Sequence, residues 1–422
     1  MPVASAVATY DTHVPRILLL LPTATYRASD FLAASRALDV EVVVASEQRQ
    51  TMSEMMGNRA LVVDFSRPEA AAEAIVERAK EMPLDAVVGV DEQGVLVAAL
   101  AAGRLGLSGN PPEAVVATTN KITMRKAFAA ANLPQPEHRI AGPDADVARL
   151  AAELGFPCVL KPVSLSASRG VIRVDDSPAA GAAARRIRAI LAEADEDPDA
   201  PLLIERYVPG VEVAVEGLLR GGVLETLAVF DKPDPLEGPY FEESIYVTPS
   251  RLPVETLEAV NQLTAAAAAA LGLHEGPIHA EARIDSNRIW ILELAARSIG
   301  GLCSRSLRFG IGLSLEEVIL RHALGMPLDN LGRESLASGV MMLPIPKAGV
   351  LKEVRGQADA RAVPGVNGLE ISIPLGRTVR TLPEADRYLG FLFAHGETPE
   401  AVERTLRSAH GRLEIVIEEP PE

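Results

Sequence analysis

Glu281 and Glu293 sit on two apolar runs, residues 279–284 and 289–294, separated only by Asp285-Ser286-Asn287. Two strands joined by so short a turn bring the carboxylates side by side when their parities agree. Adjacent buried carboxylates repel and need a cation between them. Mg2+ suits the pair, with Mn2+ as an alternative, because it takes oxygen ligands and shares them with phosphates. A surface hairpin of ordinary acids is the other reading, and the Ile, Trp and Leu around both residues argue against it. Arg297 follows four positions later, ahead of Gly300-Gly301, so a guanidinium can face the same anionic centre.

A second set begins at Lys161-Pro162 and continues into Ser164-Leu-Ser-Ala-Ser-Arg-Gly170. Small residues at Ser164, Ser166, Ser168 and Gly170 let backbone N–H groups approach a polyphosphate, and the lysine adds a fixed positive charge. Neither a P-loop nor a dinucleotide-binding glycine pattern is present, and a plain Ser/Gly hairpin turn is the commoner use of such a loop. A third stretch runs from Leu202 to Glu212, an apolar strand leading to Glu205, then Val208, a Pro-Gly turn and a second acid. Such a segment can offer backbone groups to a base and a carboxylate to a ribose.

The elements that must hold these residues fall into three blocks. In the first, short apolar runs at 17–21, 40–45, 61–65 and 86–90 alternate with helical stretches at 28–38, 68–80 and 94–103. Runs apolar on both faces, in strict alternation with helices, predict an open parallel α/β sheet. Ligands of such sheets meet the carboxyl ends of the strands, which brings Asp91 and Glu92 into view; Glu92 otherwise serves only to cap the next helix. The second block predicts a helix over 119–131, a hairpin from 158–161 and 170–174 around the serine loop, and an exposed acidic connection at 192–199. The third predicts an α+β unit with strands near 339–345, 349–354, 371–373 and 412–417 and a helix near 399–409. The expected domains are therefore 1–115, 116–328 with a lid over about 119–200, and 329–422.

The 422 residues carry 41 basic and 57 acidic side chains, a formal charge of −16, which opposes attachment to nucleic acid or anionic lipid. No apolar run approaches the roughly 20 residues that a membrane helix needs. Cys158 and Cys303 form at most one bridge in a chain of this size, which fits a reducing compartment and a cytoplasmic location. Only seven lysines are present, so each is more informative than one of the many arginines.

Together these residues resemble the ATP-grasp superfamily of carboxylate–amine ligases. The likeness covers residues 119 to about 325 by motif, and the flanking blocks match the family's usual domain order. The resemblance implies ATP held by Lys121 and Lys161, by the serine loop, by Glu205 and Val208 at the adenine hinge and by Glu212 at the ribose, with Glu281 and Glu293 as the magnesium pair. Ala295 departs from the family, many of whose members place an asparagine two residues after the second metal acid. Within the superfamily the chain is similar to the bacterial L-amino acid ligases, on Gly238-Pro-Tyr-Phe-Glu-Glu243, His279-Ala-Glu281, Glu293-Leu-Ala-Ala-Arg297 with Gly300-Gly301, and the late Gly390-Phe-Leu-Phe-Ala. That likeness implies that Arg297 contacts the transferred phosphate and that Glu92 and Glu243, together with Gly301, hold amino-acid substrates. His279 shares a strand face with Glu281 and either orients substrate or is a satisfied core histidine.

The implied reaction activates an amino-acid carboxylate as an acyl phosphate and joins it to the amine of a second amino acid, giving a dipeptide, ADP and phosphate, in a possible homodimer. The rival readings are an ATP-grasp carboxylase or purine-biosynthesis ligase, and a non-catalytic ATP-binding regulatory protein.

Overall fold

The computed structural model describes residues 13–48, 57–286 and 288–419, so Asn287 of the expected turn lies outside the described residues. The first sheet is formed by β1 (Arg16–Leu20), β2 (Glu41–Ser46), β3 (Ala60–Val62) and β4 (Ala86–Gly89), in the order β3-β2-β1-β4. Its three pairings are parallel, as the alternation of strands and helices predicts. The third strand is shorter than the expected 61–65. Successive residues of β1 feed two cores. Leu18 and Leu20 pack among Ala72, Ile75 and Val97 of the covering helices, while Ile17 and Leu19 join the core that continues into the rest of the molecule.

Gly89 ends β4 at a point where any Cβ would lie 2.8 Å from the backbone of Gly94 and Val95. Only glycine lets the helix Glu92–Leu105 begin that close to the strand, and this fixes Asp91 and Glu92 at the carboxyl edge of the sheet. Asp91 occupies the N-cap position but makes no capping hydrogen bond through its side chain.

The helix expected over 119–131 is two helices, Pro112–Thr119 and Lys121–Ala130. Asn120 between them is extended, and its side chain accepts a hydrogen bond from the Thr123 amide at 3.0 Å, the interaction that makes asparagine a strong N-cap. Lys121 thus opens a helix rather than lying within one. Next come β5 (His138–Ala141), β6 (Cys158–Pro162), β7 (Ile172–Val174) and β8 (Leu202–Arg206), an antiparallel sheet in the order β5-β8-β6-β7. The helices Val147–Leu154 and Ser177–Glu193 pack on it, burying Ala151, Ala183, Ile187 and Leu191 against Leu160, Leu202 and Ile204. The acidic stretch expected as a connection starts inside the last turn of the second of these helices.

The largest sheet contains β9 (Val211–Arg220), β10 (Val223–Lys232), β11 (Ile245–Thr248), β12 (Gly276–Asp285), β13 (Arg288–Ala295), β14 (Ala337–Leu343), β16 (Val366–Ile371) and β18 (Gly390–Gly396), with β15 (Gly349–Arg355), β17 (Thr378–Val379) and β19 (Glu414–Glu418) forming a small sheet of their own. The order of the large sheet is β13-β12-β9-β10-β11-β14-β18-β16. The C-terminal α+β block is therefore not a free-standing sheet, because three of its strands extend the central one through the β11–β14 pairing. The strand expected at 371–373 is the tail of Val366–Ile371. The strand Gly390–Gly396, in the middle of this extension, is apolar enough to be buried on both faces and has no alternating pattern to reveal it.

Candidate active site

The face of the large sheet away from the helices Lys121–Ala130 and Val254–Leu271 carries charge, and strand alternation dictates which residues it receives. Val213, Val215, Ala280 and Ala282 point into the helix-covered core. Their neighbours Glu212, Glu216, His279, Glu281 and Arg283 share the other face. Cross-strand register then sets the partners, with His279 opposite Glu216, Arg283 opposite Glu212 and Glu212 opposite Lys232.

Glu281 and Glu293 are directly opposite in the β12–β13 ladder, as their spacing predicts. The register is interrupted immediately beyond them, where Ala282 faces Ile291. Leu292 is the extra residue, and this bulge allows Ile291 to be fully buried in the core while Glu293, two positions on, turns to the polar face. Both acids are oxygen donors held anionic. Burial opposes the charge on Glu281, but Lys232 and then His279 hold it at about 2. Burial likewise opposes Glu293, and Lys121, Lys161 and Arg297 pull it below the ordinary carboxylate range. Such a donor set fits Mg2+ or Mn2+. The two acids already have partners, with Glu281 2.9 Å from the Lys232 ammonium and Glu293 3.4 Å from that of Lys121.

Lys161 and Glu205 come from β6 and β8. Register pairs Lys161 with Leu203 and Val159 with Glu205, so the two charged side chains are diagonal neighbours on one face, 2.6 Å apart. The other oxygen of Glu205 receives the Arg125 guanidinium at 2.5 Å. Burial works against both charges. Two cations hold Glu205 at about 2, whereas burial, with Arg125 and Lys121 nearby, keeps Lys161 below the ordinary lysine value despite Glu205 and Glu293. Glu205 lines the cavity with both carboxylate oxygens engaged, one by Arg125 and one by Lys161. Val208 lines the cavity too, and its carbonyl accepts from Arg283 at 2.7 Å. Glu212, expected to face a ribose, is held by Arg283 and Lys232, each at 2.7 Å.

The serine loop lies over this centre. Lys121 donates to the Leu165 carbonyl at 2.8 Å, tying the loop to the helix start. Ser166 and Ser168 line the cavity, but Ser164 and Gly170 do not. Ser164 turns its hydroxyl toward the exposed Glu196, and Gly170, with φ +71°, sends its amide to the Pro383 carbonyl at 2.9 Å.

The cavity, about 360 Å³, extends past the carboxylates to Tyr26, Asp91, Glu92, Glu243, Tyr246, Gly300, Gly301, Asp386 and Tyr388, and it brings together Lys121, Lys161, Val208, Glu212, His279, Glu281, Glu293 and Arg297. Arg297 donates to Glu92 at 2.7 Å across the junction of the first sheet with the large one, so Glu92 is a partner of this arginine rather than a helix cap. His279 lies 3.2 Å from Glu216 and 3.8 Å from Glu281. Burial favours the neutral ring, yet hydrogen bonds to the two acids raise it to about 9, while burial raises Glu216 above the ordinary carboxylate value. Both oxygens of Glu216 also accept from the Ile299 amide, at 3.0 and 3.1 Å, which fastens the loop between Arg297 and Gly301.

Lys232 went unremarked in the sequence, although its rarity as one of seven lysines was a usable signal. It is 3% exposed and surrounded by Glu212 at 2.7 Å, Glu243 at 2.6 Å and Glu281 at 2.9 Å, with the Tyr246 ring 5.1 Å away. Among the described residues, the carboxylates of these three acids lie within 4.8 Å of one another. Burial opposes the charge on Lys232, but the three acids raise it well above the ordinary lysine value. Both cysteines are free and buried, and burial pushes the Cys303 thiol up, which leaves it inert as a nucleophile.

Three family profiles match the chain in succession: the ATP-grasp N-terminal domain over residues 32–109, the ATP-grasp domain over 154–306 and the L-amino acid ligase C-terminal domain 2 over 341–418. An alanine–anticapsin ligase of Bacillus subtilis is 27% identical over 275 residues, 61% of this chain and 58% of that protein, so the match spans little more than half the relative's length. Among solved structures, an L-amino acid ligase from Bacillus licheniformis superimposes with a TM-score of 0.82 at 22% identity, over 96% of this chain and 99% of the other. A carboxyaminoimidazole ribonucleotide synthase from Aspergillus clavatus, complexed with ATP, superimposes with a TM-score of 0.72 at 16% identity, over 95% and 99%.

Proposed function

We propose, from the premise that this chain belongs to the ATP-grasp superfamily and is most like the L-amino acid ligases within it, that it joins two free amino acids at the expense of ATP. The observation that carries the reading is the continuity of one cavity from the lysines and carboxylates of the nucleotide end to a second chamber. That chamber is walled by Asp91, Glu92, Glu243 and Gly300-Gly301, residues drawn from separate parts of the chain. Fixed carboxylates there suit a substrate ammonium, which bicarbonate lacks.

In this reading Lys121, Lys161 and the backbone of the serine loop hold the phosphates. One carboxylate oxygen of the donor amino acid attacks the γ-phosphorus and ADP leaves; the acceptor amine then attacks the acyl carbon, and phosphate departs as the amine loses a proton. Arg297 is held beside Glu293 and Glu92, where it can meet the phosphoryl group between its two owners. Glu281 and Glu293 would hold a divalent ion, which supplies neutralisation of phosphate charge when bound. His279, kept charged by Glu216, fixes Glu281 on the face of the sheet. The lid bearing Ser166 and Ser168 keeps water from the mixed anhydride.

The deciding measurement is ADP release in the presence of ATP, Mg2+ and mixtures of free amino acids, with mass spectrometry of the products. Stimulation by amino-acid pairs with a dipeptide product is the expected result. Stimulation by bicarbonate alone selects a carboxylase, and ATP binding without turnover under all conditions selects a regulatory role.

A further inference from the structure

The ligase reading leaves two charges that the chemistry never consumes, the ammonium of the donor amino acid and the carboxylate of the acceptor. For the first the chamber has Asp91, whose side chain makes no capping bond, besides Glu92 and Glu243, which an ammonium would share with Arg297 and Lys232. For the second it needs a cation that is not already committed, because burying an unpaired carboxylate is unfavourable. Most cations of the cavity wall are engaged. Lys121 and Lys161 are held by Glu293 and Glu205, Arg283 by Glu212, and Arg297 by Glu92. Arg206 belongs to the lid strand at the nucleotide end.

Arg387 is different. It lines the amino-acid end, its side chain is 49% exposed, and its ion-pair partner among the described residues is its own neighbour Asp386, at 3.2 Å and itself 56% exposed. An exposed pair between adjacent residues is weak and easily exchanged for a better anion. The loop that carries it is nevertheless anchored on both sides. On one side the Pro383 carbonyl accepts from the Gly170 amide at 2.9 Å, and Glu384 receives the Arg186 guanidinium through both oxygens, at 2.6 and 2.9 Å. On the other, the Tyr388 hydroxyl donates to Glu243 at 3.2 Å. The guanidinium is thus presented at the rim by a loop fastened both to the lid and to an acid of the substrate chamber.

We propose that Arg387 is a specificity-determining residue that binds the unreacted α-carboxylate of the acceptor amino acid. A guanidinium matches a carboxylate through two parallel hydrogen bonds, whereas a carboxamide offers one neutral oxygen and no charge. The assignment rests on the amino-acid ligase reading. It also makes closure of the lid, through Gly170 and Arg186, favour capture of the acceptor, since both act on the same loop.

The test compares kcat/KM for acceptor amino acids as free acids with that for the same acceptors as α-amides, using proteinogenic amino acids as donors. Wild-type protein is expected to prefer the free acid by roughly 10- to 100-fold. Arg387→Ala and the uncharged Arg387→Gln should bring the two forms to within about threefold of each other by losing the free acid, with the KM for ATP unchanged. Arg387→Lys should recover part of the preference. Active wild type whose preference survives in both neutral variants overturns the role of Arg387 alone. Wild type that makes no dipeptide from any pair removes the ligase reading, and the acceptor site with it. Melting temperatures near that of the wild type identify the variants as folded, as expected for a half-exposed loop residue.

Discussion

Replacing Lys232 with methionine removes one cation from one buried and two half-buried carboxylates and keeps the side-chain volume nearly constant. Glu212 retains Arg283, Glu281 retains His279 and Glu243 retains the Tyr388 hydroxyl, so no acid is left wholly alone. All three nevertheless keep their mutual repulsion inside 4.8 Å without the charge that balanced it. Removing one partner of a buried ion pair costs about 3–5 kcal/mol, and Lys232 is only 3% exposed, so little of that is lost to solvent screening. In a cooperative unit of domain size this lowers the melting temperature by roughly 6–20 °C. A divalent cation should then stabilise the variant where it does little for the nucleotide-free parent, because the three acids offer it the place that the ammonium held. At ten times its dissociation constant an ion adds about 1.4 kcal/mol. Scanning calorimetry with and without MgCl2, in the absence of ATP, reads both effects. A variant that melts with the parent refutes the charge-balance argument, and equal magnesium stabilisation of the two proteins refutes the idea that Lys232 occupies a cation position.

Lys161→Ala and Lys121→Ala should each weaken ATP binding at least tenfold by calorimetry, since each removes a charge-assisted phosphate contact; unchanged affinity and turnover in both would remove these lysines from the site. Arg297→Lys should lose turnover by about 100-fold or more with a normal melting temperature and near-normal ATP affinity, whereas a lowered melting temperature with proportionate loss of rate marks Arg297 as only the structural partner of Glu92. Glu205, held at about 2 against an ordinary 4.5, contributes roughly 3 kcal/mol of stability that is present above pH 4.5 and disappears as pH falls toward 2. Denaturation measured across that window should therefore be steeper in pH for the parent than for Glu205→Gln, and parallel curves would contradict the depressed value.

Much of the fold was legible because its signals are local. The parallel sheet of the first block follows from apolar runs alternating with helices, and the Glu281–Glu293 adjacency follows from two runs and a short turn. What escaped depends on register between distant strands. Nothing near Glu205 in the sequence reveals that Arg125 reaches it from a separate helix, or that Lys161 lies diagonally beside it. The bulge at Leu292, which decides that Ile291 and Glu293 face opposite ways, leaves no mark in an apolar run. The C-terminal block looked independent because its membership of the large sheet is created by one pairing, Ile245–Thr248 with Ala337–Leu343, between segments some ninety residues apart.

The same register explains how a chain with so few lysines sets three of them beside carboxylates. Lys121, Lys161 and Lys232 each rest on a carboxylate of the neighbouring strands, so the site is assembled and electrically satisfied before nucleotide arrives. Glu205 has a second cation, Arg125, and can release Lys161 without being stranded. Glu281 has His279, and Glu212 has Arg283. Glu293 has Arg297 and Lys161 close enough to act on its charge as well as Lys121. In the proposed reaction Glu205, Glu212 and Glu281 therefore each keep a positive neighbour that is not a lysine, which lowers the cost of drawing a lysine toward a phosphate. Arg125, Arg283 and His279, all buried, are thus the residues that keep Glu205, Glu212 and Glu281 balanced when a lysine is drawn away.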